Sequence, residues 1–515
     1  MSLATLTRHS FKYFGASMSF PHYLSICESG IPTSEKANIL GNYLDEMRLK
    51  KTHFLGYQTN QEVNFPPELH PFLSLNLLNL GDGYEDGSYQ INAKQFERAV
   101  LDFYARLWGM TMPNSQRNYW GYVTAMGSTE GNLYALWNAR DYLSGSAVEG
   151  YEKSVHVPNP PVLISSSCTH YSIYKACQML GIPTFNQAGK KLGACPINQG
   201  DWQKSLSVDE YGSVVEQDLY RLTEFFVERQ HPVILFLNHG TTFSGGSDAI
   251  FRILTTLKPL LGVNTERNRR YWVHVDGALS ANFSPFLQSD PFSVSSEPYE
   301  FRHREVMSMC TSPYKWLGAP WSCGIYLMQE RYKVGSSNRP TYIAGRDSTI
   351  AGSRQGLYSL YLWERLSSLG TQGLKQIAQQ NESNTEYLQA ALRQLANSKR
   401  LQQQKFIVLP RMPGANIVRF SSPSSHINKK YSLAQENISI NGKPQRFSHA
   451  VLLSHVQRPL IDQFLSELSA SNAFEPHTLS TLNPLVSQPN FYRPQSRSVH
   501  LQPSPIHPNT LKESP

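Results

Sequence analysis

Long apolar runs are missing from these 515 residues: no stretch of 18 occurs, so no membrane-spanning helix is expected. Charge is scarce too. At 17% charged residues the chain is neither a coiled coil nor a highly charged disordered protein. The six cysteines (27, 168, 177, 195, 310 and 323) never form a C-x-x-C pair. That argues against a zinc ribbon or a disulfide scaffold and fits a reducing, cytoplasmic setting. No Walker lysine pattern occurs, so no nucleoside triphosphate site is indicated. There is no internal repeat. Acidic residues are absent before Glu28, where Arg8, His9 and Lys12 stand among serines and threonines. An organelle transit peptide is the alternative there to an ordinary frayed terminus, and no secretory h-region is present.

What is present is a mild positive excess, 47 basic against 39 acidic residues, a net charge of +8. The basic residues are dispersed, so no nucleic-acid partner is expected, while attraction of anionic small molecules is compatible. Residues 1–35 read as a tail, followed by a helical pattern over 37–47 and a loop up to Gly87. From Ala93 to Trp108 the residues Phe96, Val100, Phe103 and Leu107 mark one face of a helix. Short β-branched runs then appear at 162–164, 233–237, 271–275 and 324–328, with helix-compatible segments at 130–143, 170–180 and 216–230 between them. That alternation implies an α/β fold with a mostly parallel sheet covered on both faces. Near residue 346 the character changes. A long helical stretch at 356–398, strands at 416–420 and 449–453, and a helix at 460–468 read as a smaller α+β domain. The last 45 residues hold eight prolines and read as a disordered tail.

Four motifs carry chemistry. Gly127-Ser-Thr-Glu-Gly-Asn132 opens a helix, where small residues and hydroxyls suit an anion or simply cap the helix. His274-Val-Asp276-Gly-Ala278 ends a strand, where α/β folds place ligands. Its carboxylate needs a cationic partner: a metal held by His274 and Asp276, or a protonated ring nitrogen, unless it only caps a turn. No further metal-ligand cluster accompanies it. Lys315 in Ser312-Pro-Tyr-Lys315-Trp-Leu-Gly318 sits among apolar and aromatic residues. Poor solvation lowers a lysine's pKa and makes it a Schiff-base nucleophile, the alternative being a surface-loop lysine. His170, after the strand at 162–164, suits stacking on a planar ligand, acid–base work or a structural role.

The order of these parts resembles that of fold-type I pyridoxal-phosphate enzymes. The chain is similar to the group II amino-acid decarboxylases, nearest in flavour to the histidine and serine decarboxylase branch. Supporting segments are Leu55-Gly-Tyr-Gln-Thr-Asn60, Asn79-Leu-Gly-Asp82, Phe96-Glu-Arg98, Gly121–Asn132, His170–Ala176, Asn238-His-Gly-Thr-Thr242, His274–Ala278, Lys315-Trp-Leu-Gly318 and Gly352-Ser-Arg354. The resemblance covers residues 36–470. It implies a tail and helical arm at 1–65, a cofactor-binding large domain at 66–345, a small domain at 346–470 and a tail at 471–515.

The resemblance also implies roles. Lys315 would bind pyridoxal 5'-phosphate as a Schiff base and Asp276 would keep the ring nitrogen protonated. His170 would stack on one ring face and Ala278 on the other. Ser128 and Thr129, with Ser312, would hold the phosphate, and Asn238 and Thr241 would approach the ring or its hydroxyl. Tyr57 and Asn60 would approach the substrate carboxylate. Ser353 would reach the phosphate of a neighbouring subunit in a homodimer with interfacial active sites. Tyr332 and Tyr342, in a loop over 330–350, are candidates for protonating Cα. The implied reaction converts an L-amino acid to its amine and CO2. A carbon–carbon lyase, a decarboxylating aldehyde synthase and a non-catalytic family member are the alternatives. The chain departs from the family at Tyr314, where relatives usually have His.

Overall fold

The computed structural model describes residues 24–26, 28–110, 117–148, 150, 153–262, 269–293, 297–334, 339–403, 405–440 and 442–474. The proline-rich tail read at 471–515 and the tail read at 1–35 thus lie largely outside the described residues. Eleven strands are assigned among them: β1 Leu78–Leu80, β2 Tyr119–Thr124, β3 Val162–Ile164, β4 Val233–Asn238, β5 Tyr271–Asp276, β6 Ser308–Thr311, β7 Gly324–Gln329, β8 Ser353–Gln355, β9 Ile417–Ser421, β10 Gln435–Ile440 and β11 Lys443–Val451.

The main sheet has six strands in the order β2-β7-β6-β5-β4-β3. β3, β4, β5 and β6 are parallel, and β7 runs antiparallel to both β6 and β2. Every residue of β3, β4, β5 and β6 is buried, as expected where helices cover both faces. β2 is a sixth strand that the periodicity did not disclose. Its residues Tyr119-Trp-Gly-Tyr-Val-Thr124 are all buried, so no alternation marks it. Helices α1 Thr33–Lys51, α2 Lys94–Leu107, α3 Ser128–Leu143 and α4 Ser172–Leu180 follow in chain order.

Three segments that carried the family resemblance meet away from the strand ends. Arg354 and Glu97 form a buried ion pair. Asn79 Nδ2 (2.9 Å) and the Val123 N–H (3.0 Å) donate to the same carboxylate, tying α2, β2 and β8 together. The buried charges are thus both paired and hydrogen-bonded.

A second core lies under the three-stranded antiparallel sheet β10-β11-β9. The helix Arg458–Leu468 and the C-terminal part of the helical stretch Gly356–Ala396, which breaks at Gly370 (φ 56°), pack on it. Leu55, far away in sequence, belongs to this core: its N–H donates to Tyr431 O (3.1 Å) and its carbonyl accepts from the Val451 N–H (2.8 Å). Residues 54–60 therefore leave the small unit and run directly to the C-terminal ends of the main-sheet strands.

Burial holds three histidines in their neutral form: His239 is pushed down to about 3, His274 to about 4 and His455 to about 4. Asp248, raised to about 6 by its own burial, acts in the opposite sense. The unfolded chain takes up imidazole protons below its ordinary value near 6.5, whereas the folded chain does not, so stability falls as the pH drops from about 6.5 toward about 4. Between about 3.8 and 6 Asp248 offsets part of this loss, and Glu130, Glu300 and Glu436, also raised by burial, act in the same direction. Urea midpoints of the cofactor-free protein should be lower at pH 5 than at pH 7; a higher midpoint at pH 5 would contradict the burial of these rings.

Candidate active site

Parallel pairing brings the chemistry to one edge of the sheet. Asn238 and Asp276, the last residues of β4 and β5, are direct register partners, and Asp276 pairs in turn with Cys310 on β6. His170 follows β3, Ser312 follows β6, and Lys315 lies in the single helical turn Pro313–Trp316. The N-terminus of α3 points at the same place. Gly127 makes the turn into it at φ 61°, and a Cβ there would lie 3.0 Å from Cε1 of Tyr314 and 3.2 Å from Ser312 Oγ. Only glycine combines that backbone with that close approach.

The resulting pocket is lined by Lys315, Asp276, His170, Ser128, Thr129, Ala278, Asn238, Thr241 and Ser312 together. Asp276 is almost fully buried. Its Oδ1 accepts from the Ala278 N–H (3.0 Å) and its Oδ2 from Asn132 Nδ2 (2.9 Å). Burial lowers the Lys315 pKa, with Asp276 and Cys310 opposing the shift. Lys315 Nζ makes no hydrogen bond among the described residues. His170 is also lowered by burial; Asp276 opposes that shift and Lys315 adds to it. Its Nδ1 faces the Ser172 N–H (3.4 Å) and Oγ (2.8 Å), which leaves Nε2 to carry the proton of the neutral ring.

At the start of α3 the Ser128 N–H donates to Ser312 Oγ (2.9 Å), whose hydroxyl donates to Ser128 Oγ (2.8 Å). The Thr129 N–H has no partner among the described residues. Glu130 folds back to accept from the Ala125 (2.8 Å) and Met126 (3.1 Å) N–H groups, so its charge serves the turn. Asn238 Nδ2 is held by Thr169 Oγ1 (3.2 Å) and Asp248 Oδ2 (3.1 Å), and Thr241 Oγ1 by Ser244 Oγ (2.6 Å).

Five other candidates lie outside the pocket. Asn60 is buried: its N–H donates to Lys315 O (3.1 Å) and its Nδ2 to Trp316 O (2.8 Å), so it fixes the lysine's backbone. Tyr57 is 48% exposed, and Gln58 takes the place at the pocket wall expected for it. Ser353 is exposed on β8, and Tyr342 is 79% exposed. Tyr332 packs on Tyr142 (5.4 Å) and Trp272 (6.1 Å) at the opposite end of the sheet, which removes it as a proton donor here. The metal alternative at His274 also fails: both ring nitrogens are engaged, with Ser308 Oγ (2.9 Å) and Asn132 Oδ1 (2.8 Å). No group of three metal-binding side chains occurs among the described residues.

Sequence reasoning missed Gln58, Met126, Cys168, Thr242 and Leu279 as lining residues, because loops bring them in without periodicity. It also passed over Asn132, which a helical reading could have found: position i+4 from Ser128 falls on the same face of α3.

This set of groups suits a ligand with an aldehyde for the amine, a basic ring nitrogen for the carboxylate, a flat face for the imidazole and an anion for the α3 terminus. The comparisons agree. A family model described as the pyridoxal-dependent decarboxylase conserved domain matches residues 92–408. Serine decarboxylase 2 of Oryza sativa subsp. japonica is 28% identical over 84% of this chain and 78% of its own length. Histidine decarboxylase of Solanum lycopersicum is 29% identical over 84% of this chain and 87% of its own. The crystal structure of L-methionine decarboxylase from Streptomyces sp. 590 superposes with a TM-score of 0.77 at 32% identity, covering 87% of this chain and 97% of that one.

Tyr314 lies half-buried against Gly127, and its hydroxyl makes no hydrogen bond among the described residues. Substituting Tyr314→Phe removes that donor from the anion end of the pocket. Affinity for pyridoxal phosphate should fall roughly tenfold to a hundredfold, the worth of one hydrogen bond to a charged group, while Tyr314→His should be tolerated. Equal affinity for the Phe variant, measured by equilibrium dialysis, would make the hydroxyl idle.

Proposed function

We infer that the chain, which belongs to the pyridoxal-dependent decarboxylase family, converts an L-amino acid to the corresponding amine and CO2. The observation that carries this reading is the convergence of Lys315, Asp276 and His170 on one pocket beside a hydroxyl-rich helix terminus. When bound, pyridoxal phosphate supplies an aldehyde that captures amines and a ring that accepts electrons from the bond that breaks.

Each residue then has a task. Lys315, with its charge disfavoured by burial, offers an uncharged amine and holds the cofactor covalently. Asp276 would meet the ring nitrogen and favour its protonated form by a charge interaction. His170 and Ala278 would pack against the ring. Ser128, Thr129 and Ser312 anchor the phosphate at the α3 terminus, where N–H groups favour an anion. Asn238 and Thr241 face the ring and its hydroxyl. Gln58 stands where it can meet the substrate, and Asn60 acts behind it on the lysine segment. The pocket walls would select the bond to be broken by fixing how the substrate carboxylate is held.

The functional unit of this reading is a homodimer. Helix α1 buries none of its residues within the chain, yet it presents Leu40, Tyr43 and Leu44 along one face. An unsupported helix with an apolar stripe calls for a partner surface. A second copy also gives the exposed Ser353 and Tyr342 a pocket to serve. Light scattering should give a mass near twice 58.3 kDa; a monomer would remove both residues from the site. A cytoplasmic setting suits the thiols, since all five described cysteines are free.

The test is a screen of the proteinogenic amino acids for CO2 release with added cofactor, the product being identified by mass spectrometry. An amine is expected; an aldehyde would indicate the synthase reaction, and no release by a cofactor-loaded chain would overturn the reading. Lys315→Ala should fold but lose turnover. Asp276→Ala should retain the lysine's reaction with the cofactor and lose at least about 10³-fold in rate, about 4 kcal/mol of transition-state stabilisation. An Asp276→Ala rate within tenfold of wild type would reduce this carboxylate to a turn cap.

A further inference from the structure

Behind Asp276 runs a line of buried polar side chains that the reaction does not touch. Trp272 Nε1 donates to Ser308 Oγ (2.9 Å), and Ser308 Oγ meets His274 Nδ1 (2.9 Å). His274 Nε2 meets Asn132 Oδ1 (2.8 Å), and Asn132 Nδ2 donates to Asp276 Oδ2 (2.9 Å). Cys310 Sγ also donates to Asn132 Oδ1 (3.0 Å). All these side chains are buried.

The direction of every bond follows from one end. An ionised carboxylate only accepts, so Asn132 must turn its NH2 to Asp276 and its carbonyl oxygen away. That oxygen then needs donors, and it receives the Cys310 thiol and the Nε2–H of His274. With Nε2 protonated and the ring neutral, Nδ1 is an acceptor, so Ser308 gives it the hydroxyl proton and accepts in turn from the indole. Burial keeps His274 neutral, at about 4, and holds the Cys310 thiol well above its ordinary range. Each donor polarises the next acceptor in the same sense, toward Asp276.

We propose that Asn132 and His274 are positioning residues whose hydrogen-bond chain holds the Asp276 carboxylate in the orientation that keeps the proton it would share with the cofactor ring nitrogen on the ring. This rests on the pyridoxal-phosphate reading above. Of the two nitrogen donors to the Asp276 carboxylate, which the Cys310 thiol also approaches at 3.8 Å, the Ala278 N–H belongs to the backbone of the turn, whereas the Asn132 amide is a side chain that the chain can tune. Without it Oδ2 loses its side-chain donor, the carboxylate is free to turn, and the proton shared with a bound ring nitrogen would be held less firmly on the ring. His274 has no contact with Asp276 by hydrogen bond; it acts by fixing which way the Asn132 amide points.

The experiment compares wild type, Asn132→Leu, His274→Phe and the double variant, each loaded with pyridoxal phosphate labelled with 15N in the ring. The ring-nitrogen NMR shift should be of the protonated type in wild type and move toward the unprotonated value in Asn132→Leu, with cofactor affinity lower by roughly tenfold to a hundredfold. His274→Phe should move both readouts the same way by less. The double variant should lose less than the sum of the two single losses, because His274 acts chiefly through Asn132. Unchanged shifts, or fully additive losses in the double variant, overturn the proposal. Neutron diffraction of the wild-type holoenzyme tests it without any substitution: a neutral His274 protonated at Nε2 is expected, and protonation at Nδ1 overturns the chain. A wild type that binds no pyridoxal phosphate overturns the functional reading and this one with it. A wild type that binds normally, with variants indistinguishable from it, overturns this one alone.

Discussion

A negative charge kept out of water at the end of a buried strand is the constraint around which this molecule is arranged. Asp276 closes β5, which lies between β4 and β6, with every residue of all three strands buried. A carboxylate there is costly unless donors meet it. One donor is the N–H of Ala278, fixed by the turn itself. The other is a side chain of α3, which must dock with its first turns against the strand ends to deliver it. That docking needs the glycine turn at 127 and the hydroxyl of Ser312 against the Ser128 N–H. The helix terminus that suits a phosphate and the carboxylate that suits a ring nitrogen are therefore placed by the same packing, some residues apart on one rigid frame. The chain is a pyridoxal-phosphate-dependent decarboxylase built on that frame.

Much of this was legible in the residues. β3 is read within its observed bounds, and β4, β5 and β7 to within one residue, because buried parallel strands are short β-branched runs bounded by turn residues. Lys315, Asp276, His170 and the Gly127 motif each carry an unusual residue type at an element end, and the sheet gathers these ends at one pocket. Two kinds of information were not local. β2 is aromatic and buried on both faces, so it has no period to read. Gln58 and Asn60 reach the site from a segment whose partners lie hundreds of positions away, and nothing in Tyr57-Gln-Thr-Asn60 says which side chain faces inward. The structure turns Gln58 to the pocket and Asn60 to the lysine's backbone.

Tyr314 illustrates how one substitution is absorbed. Its ring lies against Gly127, which has no side chain, so the larger planar group fits where the family resemblance implied His. Burial raises its pKa and keeps it a neutral donor, whereas a histidine there could carry charge. The anion end of the pocket thus relies on N–H and O–H dipoles, with no fixed cation among its lining residues other than Lys315.

The segment at 54–60 has a consequence for the order in which the molecule is completed. Gly56 O is gripped by His449 Nε2 (2.9 Å), and Phe54 O by His455 Nε2 (3.0 Å), partners 393 and 401 positions later. On the ribosome these residues emerge early and wait until nearly the whole chain has been made before they find their place. The wall that carries Gln58 and steadies the Lys315 carbonyl is therefore the last part of the pocket to close. A nascent chain halted between Gln329 and His449 has all six strands of the main sheet but lacks the partners of residues 54–60, so completion of that pocket wall is coupled to the arrival of the C-terminal strands.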